Sequence, residues 1–339
     1  MSTSPGAARP IHLCVVVRTY KAEQPAALAA LLASLISAHD GRGKNCSISL
    51  SADVLPTDPA DEPNAEATYK SIIGLAQQPA FAPRPEFRVR AHRRSNRTQL
   101  ERYWQTRCGR RPIGTCGPAM DCGYLETDLT LSHVLARGQH HARHAEGALR
   151  HHHLRSAMET TRHTNASRTR LSNGSTLTTT DVSSSSYSSA GGGEGGTSAT
   201  SSAHRDCDYV LVTNGDNLYA RSLFHHTCPH MQRGAGLIGY YFSSHYAYPH
   251  AYVAVGKVER SGPDVLFKTR LSKSWVDLGA VLMRADLLRS HPDQSPGYHF
   301  VDCGAWRESD GRYIQRISKE ASKVNASRVV LDRILYLHQ

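Results

Sequence analysis

The stretch Tyr209-Val210-Leu211-Val212-Thr213-Asn214-Gly215-Asp216-Asn217 sets a short β-branched apolar run directly against a polar turn. The run reads as a buried strand, and Asn-Gly-Asp-Asn as the tight turn at its carboxyl end. In an open α/β sheet, ligands bind just outside the carboxyl ends of the strands, so an acid placed there has a physical use. Asp216 offers a hard oxygen to Mg2+ or Mn2+, and Asn214 can reach a ribose or a metal-held water. Gly215 lets the backbone approach a ligand closely. Taken alone, the same four residues also make an ordinary turn.

Upstream, Ile11 to Val17 is a second β-branched run, ending in Arg18-Thr19-Tyr20. Pro25 suits the first turn of a helix in which Leu28, Leu31, Leu32, Leu35 and Ile36 line one face, and Gly41 and Gly43 stop it. Cys46 to Leu50 returns to strand character, with the strand ending near Asp53. Strand, helix, strand in this order opens a parallel α/β sheet. A helix over Glu66 to Gln77, a strand at Phe87 and Val89, and a helix from about Glu126 to Arg137 follow. Leu129, Val134 and Leu135 face the interior of that last helix, and Gly138 ends it.

The segment 138–205 breaks the pattern. It holds eight histidines, serine and threonine runs, and Gly191-Gly192-Gly193-Glu194-Gly195-Gly196, with almost no large apolar residue. Such a composition cannot offset the entropy of ordering and reads as a disordered, low-complexity insertion. Residues 1–10 read as a flexible tail. Removing the insertion leaves about 270 residues, a reasonable size for one domain, made of 11–137 and 206–339. Within that domain, 11–137 with 206–217 form one half and 218–339 the other. Downstream strands are expected over Leu237–Phe242, Tyr252–Val258 and Val276–Met283, a helix over Arg312–Ser322, and a terminal strand or packed tail over Val329–Leu337.

The formal net charge of +11 is concentrated in one place: between Arg84 and Arg111, ten arginines face only Glu86 and Glu101. A basic loop of this kind points to an anionic partner such as a phosphate-bearing molecule, a membrane surface or nucleic acid. No nucleic-acid module is recognisable in it, and aromatics do not alternate through it as a stacking platform requires, which makes nucleic acid the less expected partner. No run of 18 apolar residues exists, so no transmembrane segment is expected. That reads as a soluble, cytoplasmic chain; a lumenal enzyme of the secretory pathway that had lost its anchor would give the same sequence. The eight cysteines form no Cys-x-x-Cys pair, so structural zinc is not expected, and they leave the redox compartment open. Sequons at Asn96, Asn165, Asn173 and Asn325 matter only on entry into the secretory pathway.

Taken in order, Val15-Val16-Val17-Arg18-Thr19-Tyr20, the strand ending near Asp53, and Asn214-Gly215-Asp216 resemble the GT-A fold glycosyltransferases of the broad family 2-like class. The resemblance implies a mostly parallel central sheet flanked by helices, and transfer of a sugar from a nucleotide-diphospho-sugar donor to an acceptor hydroxyl. It makes 11–137 with 206–217 the nucleotide-sugar half and 218–339 the acceptor half. By it, Asp216 stands in an Asp-x-Asp motif and would hold the cation bridging the donor pyrophosphate. Asn214 replaces the family's first aspartate, which weakens the metal site or shifts the second ligand to Asn217. Arg18, Thr19 and Tyr20 would lie against the nucleotide, Asp53 would meet the base, and Asp128 would contact base or sugar. His338 corresponds to the late histidine that completes the metal shell.

Glu308-Ser309-Asp310-Gly311 resembles the acidic pair that precedes a helix in inverting members, which makes Asp310 the candidate general base and Glu308 its fallback. Asp is also a good N-cap for a helix beginning near Arg312, a competing structural role for Asp310. Trp275 and Asp277 pair an aromatic face with a carboxylate, a combination suited to an acceptor sugar ring. A basic nucleic-acid-binding protein and a catalytically inactive GT-A-like chain are the alternatives.

Overall fold

The computed structural model describes residues 9–19, 25–56, 65–81, 86–93, 97–108, 127–135, 206–244, 259–261, 264–272, 276–289 and 309–338. All belong to the unit formed by Met1–Gly138 and Asp206–Gln339. The insertion, the strand expected over Tyr252–Val258, and Tyr20, Trp275 and Glu308 lie outside the described residues.

Strand β1 (Ile11–Thr19) lies at the centre, with Leu13 through Val17 almost wholly buried. Alternation sends successive side chains to opposite faces of the sheet, and each face has its own core. Leu13, Val15 and Val17 join one cluster, Cys14 and Val16 the other. The first core is closed by helix α1 (Pro25–Asp40), α2 (Ala65–Ala76) and α5 (Leu223–Gln232). The leucine stripe of α1 is buried as its spacing demands. The second core is closed by α3 (Arg97–Cys108), α4 (residues 127–135), α6 (Ala285–Arg289) and α7 (Ser309–Lys323). Tyr313, Ile314, Ile317 and Ala321 form the fully buried face of α7. The result is an α/β domain with helices on both faces of one sheet.

The ten-stranded sheet has the order β3-β2-β1-β4-β9-β6-β10-β5, with a β7–β8 hairpin attached to β6. Here β2 is Ile48–Pro56, β3 Phe87–Ala91, β4 Tyr209–Asn214, β5 Leu218–Tyr219 and β6 Leu237–Ser244. The hairpin is β7 (Glu259–Ser261) and β8 (Asp264–Phe267), followed by β9 (Val281–Arg284) and β10 (Arg328–His338). Strands β3, β2, β1 and β4 pair in parallel, as do β6 and β10. Strand β9 runs antiparallel to both β4 and β6, and β5 antiparallel to β10. The sheet is therefore mixed rather than mostly parallel, a correction to the sequence expectation. The 3-10 turn Leu278–Ala280 leads directly into β9, which starts toward the carboxyl end of β4 and runs back against it.

Three further expectations change. Strand β2 continues to Pro56, so Asp53 lies inside it and not at its end. The basic loop is in part a helix, α3, whose Leu100 is buried. Of the strand expected over Val276–Met283, residues Leu278–Ala280 form a 3-10 turn, capped by the Asp277 side chain accepting from Gly279 N, before β9 begins. An apolar run alone cannot separate these two states. Two disulfides, Cys14–Cys207 and Cys46–Cys228, each join the chain before the insertion to the chain after it. They accord with the oxidising, lumenal compartment that the sequence left open. No described helix is long and apolar enough to cross a membrane.

Candidate functional site

Because β9 is the strand that runs against its neighbours, the carboxyl ends of β1, β2, β4, β6 and β10 emerge along one edge of the sheet. Thr19, Pro56, Asn214, Ser244 and His338 mark that edge. The turn Leu278–Ala280, which feeds the start of β9, lies at the same edge. Sheet direction alone thus gathers residues that are hundreds of positions apart, at the place where open α/β sheets bind ligands.

Arg18 on β1 stands opposite Asn214 on β4. Beyond them, Gly215 N donates to Arg18 O at 2.6 Å, closing the turn against β1. A side chain at Gly215 would meet Thr19 Cγ2 at 3.0 Å and Arg18 O at 3.3 Å, so glycine lets the turn close this tightly on β1. Thr19 donates to Leu55 O at 3.0 Å and ties the end of β1 to β2. Asp216 is partly exposed. The Asn214 Oδ1 is buried and has no hydrogen-bond partner among the described residues.

His338 reaches the same edge. Its Nδ1 lies 3.1 Å from Ser244 Oγ. The antiparallel pair Leu337 with Leu218 places His338 next in register to Asn217. Asn217 itself is 1% exposed, and its amide donates to Thr213 Oγ1 at 3.1 Å, a bond that folds the side chain back along β4. Asp216, Asn214 and His338 thus all lie at the edge where the strands end, and Asn217 braces the turn through Thr213.

Asp310 is the second residue of α7, inside the first turn and not at its cap. Its Oδ1 is buried with no hydrogen-bond partner among the described residues. Burial raises its carboxyl from the ordinary 3.8 to about 6; the nearby Arg18 guanidinium opposes that rise and the Asp277 carboxylate adds to it. Arg18 is 3% exposed, an interior guanidinium set near two carboxylates. The sequence candidates Arg18, Asp277 and Asp310 are thus electrostatic neighbours.

Asp277 is held firmly. Its Oδ1 accepts from Gly279 N at 2.7 Å and from Tyr336 OH at 3.0 Å. The Tyr336 ring stacks on Tyr219 with centroids 5.3 Å apart, and Tyr219 and Tyr240 both donate to Gly279 O. A Cβ at Gly279 would lie 2.6 Å from the Tyr336 ring, so glycine is needed there for packing. Burial raises the phenol pKa of all three tyrosines, which stay neutral donors. This tyrosine bracket was missed in the sequence. Its members are scattered over β5, β6 and β10, and only the abundance of tyrosine hinted at it.

Two expected site residues are buried and engaged within the fold. Asp53 is fully buried within β2, three residues short of its end. His92 Nε2 is 2.6 Å and Arg90 Nε 3.2 Å from its Oδ1. Asp128, on α4, is 3% exposed and its Oδ2 accepts from Tyr103 OH at 2.8 Å. Tyr103 also meets Ser132 at 3.0 Å, so the carboxylate links α3 and α4.

The residues that could hold a divalent cation here are the Asp216 carboxylate, the Asn214 amide oxygen and, at the same edge, the His338 imidazole. One acid is enough for Mg2+, which keeps waters and takes its other oxygens from substrate phosphates. Among the described residues the cluster of three His, Cys or acidic ligands lies elsewhere, at His12, Cys14 and Cys207.

No family model matches this chain, and no curated protein does. Among solved structures, it is similar to S. aureus TarS 1-349 at 10% identity and a TM-score of 0.43, covering 97% of this chain. The chain spans 60% of the length of that protein. It is also similar to the apo form of mouse xyloside xylosyltransferase 1, at 13% identity and a TM-score of 0.34, over 96% of this chain and 86% of that one. Likenesses this low carry no weight for function, which has to be read from the site itself.

Proposed function

We propose that this protein is a divalent-metal-dependent glycosyltransferase that takes a sugar from a nucleotide-diphospho-sugar and passes it, with inversion, to an acceptor hydroxyl. The observation that carries the reading is the pairing of two features at one sheet edge: the cation-compatible turn at Asn214–Asp216, and a buried carboxyl, Asp310, with an open oxygen beside Arg18. Asp216, Asn214 and His338 would hold Mn2+ or Mg2+. When bound, the ion supplies charge to steady the departing nucleoside diphosphate. Thr19 and Tyr20 would meet the nucleotide, and Gly215 lets the turn close tightly against β1.

Asp310 takes the proton of the acceptor hydroxyl as its oxygen bonds to the anomeric carbon and the bond from that carbon to the diphosphate oxygen breaks. A carboxyl near pKa 6 is a better base than an ordinary aspartate and is still mostly ionised at pH 7. Arg18 holds the Asp310 charge in place, and Asp277, fixed by Tyr336 and Gly279, presents its second oxygen toward the acceptor. In this reading Trp275 would meet the acceptor sugar ring and Glu308 is the fallback base.

The test is a thermal-shift screen of nucleoside diphosphates with and without Mn2+. Stabilisation that needs the metal and disappears in Asp216→Ala supports the reading; the same stabilisation in Asp216→Ala removes Asp216 from it. Donor binding with no transfer to any acceptor hydroxyl would instead identify a GT-A-like protein that has lost catalysis, the consequence of Asn214 standing where an acid is expected.

A further inference from the structure

At the opposite end of β1 from the candidate site lies a second grouping of metal-binding side chains. His12 and Cys14 are two apart on β1 and so project to the same face. Cys207, just before β4, comes up beside them, and one ligand atom from each of the three lies within 4.8 Å of the others. Both cysteines are buried, at 2% and 5% exposed, and joined as a disulfide.

The histidine is oriented for more than packing. Its Nδ1 is 2.9 Å from Ser49 Oγ, while its Nε2 is 3.3 Å from Ser51 Oγ, which in turn donates to Cys14 Sγ at 3.5 Å. Because Ser51 Oγ donates to Cys14 Sγ, Nε2–H donates to Ser51 in the disulfide form and Nδ1 accepts from Ser49; a metal at Nε2 takes the other tautomer, with Nδ1–H donating to Ser49 Oγ. Metal-binding histidines are oriented in this way, through a hydrogen bond at the other ring nitrogen.

We propose that His12, Cys14 and Cys207 form an exchangeable clasp between β1 and the chain entering β4, a disulfide under oxidising conditions and a zinc site when reduced. A dithiol reductant supplies two electrons and two protons to open the S–S bond and becomes a disulfide itself. Zn2+ then displaces both thiol protons to give two Zn–S bonds, with His12 Nε2 as third ligand and water as the fourth. Two thiolates and an imidazole are a zinc set by softness. Tetrahedral zinc sets its ligand atoms about 3.3–3.8 Å apart; the two sulfurs separate to that spacing once reduced, and all three ligand atoms start within 4.8 Å of one another. Disulfide and metal exclude each other because they use the same sulfurs. Either one fastens the same two strands, so the fold keeps its clasp in a reducing compartment as well as in an oxidising one. Cys14 is four residues from Arg18, about 13 Å along the strand, so the clasp is separate from the candidate active site.

The test uses the full chain reduced with a phosphine and titrated with Co2+ and Zn2+. The wild type is expected to show a thiolate-to-cobalt charge-transfer band that Zn2+ removes, and to bind one more equivalent of metal than Cys14→Ser/Cys207→Ser. The oxidised chain should show neither. His12→Ala should weaken that equivalent at least tenfold, and Ser49→Ala, which keeps every ligand, about tenfold. An equal metal content in wild type and the double serine variant overturns the proposal, as does unchanged affinity in His12→Ala. If the reduced chain unfolds without metal, Zn2+ should restore its circular dichroism in the wild type and not in His12→Ala; failure to restore it also overturns the proposal.

Discussion

Asp310→Asn should abolish sugar transfer and at the same time stabilise the fold at neutral pH. Folding raises the Asp310 carboxyl from 3.8 to about 6 because burial penalises its charge more than Arg18 rewards it. A carboxyl whose pKa is higher when folded binds its proton more tightly in the native state. Its contribution to stability is therefore fully present below pH 3.8 and is lost as pH rises through 6. A rise of about two units corresponds to a loss of up to about 3 kcal/mol above pH 7, at roughly 1.4 kcal/mol per unit. Asparagine keeps the shape without the charge and removes that penalty. The Tm of the variant should match wild type near pH 3.5 and exceed it above pH 7, by as much as about 6–12 °C for a domain of this size. Transfer should fall by about 10^2- to 10^4-fold, the ordinary contribution of a general base. In the wild type the acid limb of kcat/KM should bend near pH 6. Calorimetry from pH 3.5 to 8, paired with a donor-turnover assay, reads both effects. A Tm difference that does not vary with pH, or an asparagine variant with wild-type turnover, refutes the reasoning.

Asp216→Ala should remove Mn2+-dependent stabilisation by a nucleoside diphosphate, read as the loss of the Mn2+-dependent Tm shift relative to ligand-free Asp216→Ala. Gly279→Ala should destabilise by at least about 2 kcal/mol in urea unfolding, because the new methyl lies 2.6 Å from the Tyr336 ring and must displace it. Asn325 holds φ at 53° at the end of α7, where Ala326 N bonds Ala321 O and Asn325 N bonds Ser322 O. There, Asn325→Ala should cost about 1 kcal/mol and Asn325→Gly close to nothing, as judged by the urea midpoint. A protease cut within 139–205 should give fragments that separate on a gel only after reduction, since Cys14–Cys207 and Cys46–Cys228 bridge the cut. Separation without reductant would contradict both pairings.

What could be read in advance follows the range of the interactions involved. The α1 stripe of Leu28, Leu31, Leu32 and Leu35 and the apolar runs of β1 and β4 were legible because helix and strand periods lie within a few residues of chain. Helix α3 was hidden because its sequence, Arg-Thr-Gln-Leu-Glu-Arg-Tyr-Trp-Gln-Thr-Arg-Cys, is polar on most sides. Asp53 was placed at a strand end because the added residues Val54-Leu55-Pro56 differ from a loop only in pairing with Val17-Arg18-Thr19. Asp277 was legible as an acid beside an aromatic, but not as the cap of a 3-10 turn that also receives Tyr336.

The sequence by itself determined the local elements, the α/β class, and the turn at Asn214–Asn217 as a place where a cation is chemically welcome. Those depend on side-chain type at short spacing, which one chain displays openly. Only the tertiary structure decided that Arg18, Asp277 and Asp310 are electrostatic neighbours and that burial raises the Asp310 pKa. The meeting of Arg18 with Asp277 depends on strand direction. The reversal of β9 brings the start of one strand level with the ends of five others, and no local pattern records which way a strand will run.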